Sequence, residues 1–240
     1  MRISVVAILM MVVAIPAMAA TPCENLASLA LPNAKIDSAQ MVAAGAFVPP
    51  GTGAGRGQTA GANNPYAKLP AFCRVTATLT PSSDSDIKTE IWLPASGWNG
   101  KFEAVGNGGW AGTIPYTAIA AAVAAGYAGA GTDTGHVGGN ADFALGHPEK
   151  VIDLAYRSIH EMTVQSKSIV NAMYGSPAKL SYYNGCSQGG RQGRRGAEIS
   201  RRLQRNRRGC SGLEFDGNAR RSNGSQPECE QRSGRRYSGE

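Results

Sequence analysis

The chain has 240 residues, 42% of them hydrophobic and 17% charged, with a formal net charge of +7, enough for one large or two small domains. The charge is unevenly spread. Residues 1–193 carry twelve Lys and Arg against eleven acids, whereas residues 194–240 carry twelve Arg and no Lys against six acids. No apolar run reaches the length needed to cross a bilayer as a helix, which excludes a helical membrane protein.

Arg2 precedes an apolar run from Ile3 to Ile15, followed by Pro16 and Ala17-Met18-Ala19. A charged start, an apolar core and an A-x-A ending make residues 1–19 a secretory signal peptide, cut before Ala20. The mature protein is expected to be soluble, and secreted or periplasmic, where disulfides persist. Cys23 and Cys73 flank the first subregion, and a disulfide between them would close it.

A short apolar stretch, Leu26 to Leu31, leads into strand-like Ile36 to Val48, and the Gly/Ala/Asn-rich residues 51–65 read as a loop. Phe72 to Leu79 alternates as a strand, Pro81-Ser82-Ser83-Asp84 turns it, and Ile87 to Leu93 completes a hairpin. Lys101 to Val105 is a third strand, ending in Gly106-Asn107-Gly108-Gly109-Trp110. Thr117 to Ala125 reads as a helix and Tyr127 to Thr132 as a buried strand. Pro148 opens a long helix with an apolar stripe at Ile152, Ala155, Ile159, Met162, Ile169 and Met173, closed by Gly175. Leu180 to Asn184 is again β-prone. Strands alternating with helices after an antiparallel start predict an α/β sheet of the α/β-hydrolase kind over residues 20–193.

That last strand runs into Gly185-Cys186-Ser187-Gln188-Gly189, a G-x-S-x-G elbow, in which a strained strand-to-helix turn presents a serine hydroxyl over the sheet edge. Ser187 is the candidate nucleophile. Its oxyanion would be held by the N–H of Gln188 and by one from the Gly106–Gly109 loop. A bare elbow in a glycine-rich chain also occurs as an ordinary loop serine. The histidines His136, His147 and His160 all precede Ser187, contrary to the Ser, acid, His order of this fold. His160 reads as a packing or surface residue of the long helix. His136, after Asp133-Thr134-Gly135, lies near the functional edge. No Cys/His spacing suggests a metal site.

These residues resemble the tannase/feruloyl esterase family of secreted α/β-hydrolases. The resemblance rests on Gly185-Cys186-Ser187-Gln188-Gly189-Gly190-Arg191-Gln192-Gly193, on Phe72-Cys73-Arg74-Val75, Ile91-Trp92-Leu93-Pro94 and Trp98-Asn99-Gly100-Lys101-Phe102, and on Gly106-Asn107-Gly108-Gly109 and Gly131-Thr132-Asp133-Thr134-Gly135-His136. It covers about residues 23–193, the family's N-terminal part. It implies a small-molecule phenolic ester as substrate, Ser187 as nucleophile, and Gln188 and Gly108 as oxyanion donors. It also implies that Cys186 is bridged to a cysteine beside the catalytic histidine. That cysteine, the catalytic Asp and His, and a lid domain with its structural calcium all fall beyond Gly193, where this chain departs from the pattern. No cofactor is expected here.

Residues 194–240 hold only nine apolar side chains, too few to offset the entropy of ordering, so this tail is expected to be disordered. One explanation of its arginines is an exported binding protein whose tail engages nucleic acid or another anionic polymer. Against it, only Phe215 and Tyr237 supply aromatics among them. The other is a shifted reading frame in a GC-rich gene, leaving a truncated, inactive product. Permitted codons for Arg195 to Leu203, displaced by one nucleotide, read Glu-Ala-Gln-Arg-Phe-Pro-Ala-Asp. Residues 205–211 likewise permit Gly-Ile-Val-Ala-Gly-Ala-Pro, which resembles the segment after the elbow in the same family.

Overall fold

The computed structural model describes residues 20–50, 64–199 and 205–209. The signal-peptide expectation for residues 1–19 therefore lies outside the described residues, as do positions 200–204 and 210–240 of the tail.

Seven strands among the described residues form one sheet in the order β1-β2-β3-β5-β4-β6-β7. β1 (Ala34–Val42), β2 (Phe72–Leu79) and β3 (Ile87–Pro94) make an antiparallel meander. β3 pairs antiparallel with β5 (Ala128–Thr132). Beyond it β5, β4 (Lys101–Val105), β6 (Leu180–Cys186) and β7 (Arg205–Gly209) run parallel. The helices are α1 (Tyr116–Ala124), α2 (Pro148–Ile152), α3 (Ser158–Tyr174) and α4 (Gln188–Ile199). This is the α/β-hydrolase arrangement expected from the sequence. The parallel half sends the C-terminal ends of β5, β4 and β6 to one edge, the place where open α/β sheets bind ligands.

Both faces of the sheet are covered. On one, Val75, Ile91, Leu93, Phe102 and Ala104 pack against Ile159, Met162, Ile169 and Val170 of α3. On the other, Phe47, Tyr66, Phe72 and Trp92 pack with Ile119, Ala120 and Val123 of α1. A charged residue is built into this second layer. Glu90 accepts from Arg74 Nε at 2.8 Å, from Trp92 Nε1 at 2.8 Å and from the Tyr116 hydroxyl at 3.0 Å. Such full coordination is what makes a buried carboxylate tolerable. Cys23 and Cys73 form the expected disulfide, tying the segment before β1 to β2.

Several boundaries differ from the sequence reading. The strand foreseen over 36–48 ends at Val42. The long helix is interrupted by a π-helical turn, Asp153–Arg157. The extra residue rotates the stripe, so Leu154 is buried where Ala155 was expected, and Ala155 faces solvent. Gly175 does end the helix, at φ 65°. After the elbow the chain continues as α4 to Ile199, and residues 205–209 pair in register with β6.

Candidate active site

β6 carries Tyr182 and Tyr183 into the interior and stops at Cys186, and α4 begins at Gln188. Ser187 alone makes the turn, exposed and at φ 54°. A non-glycine residue in the left-handed region is strained and persists only where its surroundings impose it. Its carbonyl accepts from Arg191 N at 3.2 Å, the first bond of α4. Gln188 then sits at the first helical position, where an amide has no acceptor within its own helix. A hydroxyl and a free N–H thus stand side by side at the end of a parallel strand.

The neighbouring strand brings the second component. After Val105, Gly106 N donates to Asn184 O at 2.9 Å, which joins the loop to β6. Buried Asn107 fixes the loop's shape. Its Nδ2 donates to the carbonyls of Ala111, Thr113 and Thr132 at 2.9, 3.0 and 2.9 Å, while its Oδ1 has no partner. Gly108 is exposed, with open space where a Cβ would be. The turn closes with Ala111 N donating to Gly108 O at 3.1 Å.

Elbow and loop touch because the residues between them are small. A Cβ on Gly189 would lie 2.6 Å from Asn107 O, so only glycine lets the first turn of α4 rest on the loop. Tyr183, fully buried beneath them, donates its hydroxyl to Gly189 O at 2.7 Å. That hydroxyl would lie 2.0 Å from a Cβ on Gly106. The far end of the motif is docked too. Gln192 Nε2 donates at 2.8 Å to Leu154 O, in the π-helical turn. Neither Tyr183 nor Gln192 was singled out as a site residue from sequence; the G-G-R-Q-G spelling after the serine was the available signal.

Two of the three histidines are engaged elsewhere. Buried His136 directs Nε2 to Trp110 O at 2.9 Å and Nδ1 to the Thr134 hydroxyl at 3.2 Å, and stacks on Phe143. With Gly112 N donating to Gly138 O at 2.7 Å, it stitches the Gly106–Gly112 loop to the loop after β5. His147 pairs with Asp84 at 3.0 Å, and His160 lies 3.9 Å from Glu161 on α3. Burial pushes Asp133 up to about 7, although its Oδ1 accepts from Gly135 N and Lys88 N. Cys186 is exposed and not in a disulfide. Among the described residues no group of three or more His, Cys, Asp or Glu could hold a metal.

A mixed sheet with a serine turn and a glycine loop at one edge defines the α/β-hydrolase class. Within that class the model of the tannase and feruloyl esterase family matches residues 73–198, more than half of the chain, and the chain belongs to this family. It is 39% identical over 177 residues to an uncharacterized esterase of Xanthomonas campestris, covering 73% of this chain and 29% of that protein. It is 43% identical over 122 residues to feruloyl esterase B of Aspergillus niger, covering 51% of this chain and 23% of the relative. Among solved structures, feruloyl esterase B from Aspergillus oryzae superposes with a TM-score of 0.62 at 35% identity, over 71% of this chain and 32% of that one. An esterase from Aspergillus oryzae gives 0.66 at 29% identity, over 77% and 36%. The chain therefore spans under a third of these two curated relatives.

Proposed function

We propose that this fold serves the hydrolysis of carboxylic esters of phenolic acids through an acyl-serine intermediate. Ser187 Oγ attacks the ester carbonyl, and the N–H groups of Gln188 and Gly108 hold the tetrahedral oxyanion. Collapse expels the alcohol, and water then releases the acid. The observation that carries this reading is Ser187 at positive φ, with the first turn of its helix resting on the glycine loop. The Cys23–Cys73 disulfide supports export to an oxidising compartment.

The same reading predicts little turnover by the chain as written. All three histidines precede Ser187, and His136 and His147 are held by other groups, so the chain as written offers no histidine in the order this fold uses. Loss of a triad base costs on the order of 10⁴ to 10⁶ in rate. The frame-shift explanation gains support from β7. A parallel strand packed in a sheet is normally an apolar run. Here it is Arg205-Asn206-Arg207-Arg208-Gly209, and permitted codons for these five positions allow Gly-Ile-Val-Ala-Gly in the displaced frame.

The test has two arms. Sequencing across the codons for Gly190 to Gly196 in independent isolates would reveal the displaced nucleotide, and an uninterrupted frame would defeat the explanation. Expression with the frame restored, together with the downstream sequence, is expected to give aryl-ester hydrolysis that Ser187→Ala abolishes. Hydrolysis indifferent to that substitution would overturn the assignment of the nucleophile.

A further inference from the structure

The π-helical turn Asp153–Arg157 releases one backbone carbonyl in the interior. Ser158 N donates to Asp153 O, five residues back. In a regular α-helix that amide would bond the carbonyl four residues back, which is Leu154 O. Leu154 O accepts instead from a neighbouring helix, from Gln192 Nε2 of α4 at 2.8 Å. Single π-helical turns of this kind are rare and concentrate at functional sites.

Gln192 stands five residues after Ser187 and is fully buried. Its Oε1 has no hydrogen-bond partner among the described residues. A buried oxygen left unpaired offsets much of the stability that the Nε2 bond contributes. What the amide supplies is direction, one N–H aimed at one carbonyl. The acceptor is fixed in turn. Arg157 donates from Nη2 to the hydroxyls of Ser82 and Ser85 at 3.3 and 3.2 Å, and from Nε to Asp153 Oδ1. The π-helical turn is thereby stapled to the connection between β2 and β3.

Nearer the elbow, the Tyr183 hydroxyl bonds Gly189 O and ties α4 to β6. Gly189 and Gln192 are three residues apart, roughly 4.5 Å along the helix axis. One bond leaves a helix free to turn about it, whereas two at different heights fix its rotation. That rotation sets where the Gln188 N–H points and how Ser187 is held at φ 54°.

We infer that Gln192 is a positioning residue. Its bond to the carbonyl released by the π-helical turn fixes the rotation of α4, and with it the aim of Ser187 Oγ and Gln188 N–H. Gln192 acts only through the helix. The catalytic consequence rests on the esterase reading, because small misplacements of reacting groups lower the rate steeply.

Amide hydrogen exchange on the full chain tests the structural half. Gln192→Met keeps the volume and removes the donor. Protection of the Arg191 amide, which bonds Ser187 O, should fall about tenfold. The amides of Ala104 and Ala130, buried in β4 and β5, should keep theirs. Gln192→Glu supplies a donor only while protonated. Burial holds a proton on a carboxyl to higher pH, so this variant should match wild type near about pH 5 and follow Gln192→Met near about pH 9. Each is compared with wild type at the same pH, and this contrast within one variant suffices should Gln192→Met fail to fold. In the frame-restored chain, Gln192→Met should lower kcat about tenfold and leave KM within about twofold.

The inference is overturned if Arg191 keeps its wild-type protection, or if Ala104 and Ala130 lose theirs by the same factor. It is equally overturned if Gln192→Glu follows Gln192→Met at every pH, if kcat is unchanged, or if KM changes in its place. Frame-restored wild type without Ser187-dependent hydrolysis sinks the esterase reading alone, since the exchange result stands without turnover.

Discussion

The Tyr183 hydroxyl donates to the carbonyl of Gly189 and fills the space a side chain at Gly106 would occupy, so one buried phenol holds the serine turn against the glycine loop. Burial also pushes the ionisation of this phenol far above its ordinary value, so it remains a donor throughout the physiological range. Tyr183→Phe removes the bond and keeps the ring. The expected loss is about 1–2 kcal/mol of stability, measured by denaturant unfolding. An unchanged midpoint would mean that the clamp contributes nothing.

Gly193→Ala sets two effects against each other. Alanine gains about 1 kcal/mol over glycine within a helix. Its Cβ, however, would lie 2.2 Å from Cδ1 and Cε1 of the buried Tyr183 ring, which cannot shift without disturbing the elbow. Overpacking of this kind costs about 1–3 kcal/mol or more, so the net effect is expected to be destabilising. A raised melting temperature would contradict the packing of α4 on β6.

Asp133 makes stability depend on pH. Desolvation raises it from 3.8 to about 7, partly offset by the N–H groups of Gly135 and Lys88. Between those values the folded chain keeps a proton that the unfolded chain has released. Stability therefore falls as pH rises through that window, by at most about 4 kcal/mol. Asp133→Asn retains an oxygen for both backbone donors and cannot ionise. Its thermal stability should exceed that of wild type at pH 8 and match it near pH 4. An equal difference at both pH values would refute the shift.

The Cys23–Cys73 bridge closes a loop with a sequence separation of 50. A loop of that length restricts the unfolded chain by about 4 kcal/mol on the chain-entropy account. The double variant Cys23→Ala, Cys73→Ala should unfold at markedly lower denaturant than the oxidised chain. Added reductant should lower wild type toward the variant and leave the variant itself unmoved. Coincident curves for oxidised wild type and variant would remove the bridge from the account of stability.

Local chemistry made much of this protein legible. Phe72–Leu79 and Lys101–Val105 are bounded as the alternation of their residues predicts, because a strand buried on one or both faces must repeat its apolar positions. The elbow was legible for a similar reason: few residues tolerate that turn. The π-helical turn was not. A single inserted residue leaves the spacing of apolar residues nearly intact while rotating everything before it, so Ala155 and Leu154 exchange places.

The sequence by itself determined the α/β class, the serine turn and the glycine loop, since each depends on residues close together, and it offered the Cys23–Cys73 pairing as a candidate. Only the tertiary structure decided what His136 does, that Tyr183 and Gly189 join turn to loop, and that Asp133 is buried with Oδ1 taking two backbone N–H groups. Those outcomes depend on which strand ends become neighbours. Hydrogen bonds and desolvation act between atoms brought within a few ångströms, and sheet order rather than chain order sets that proximity.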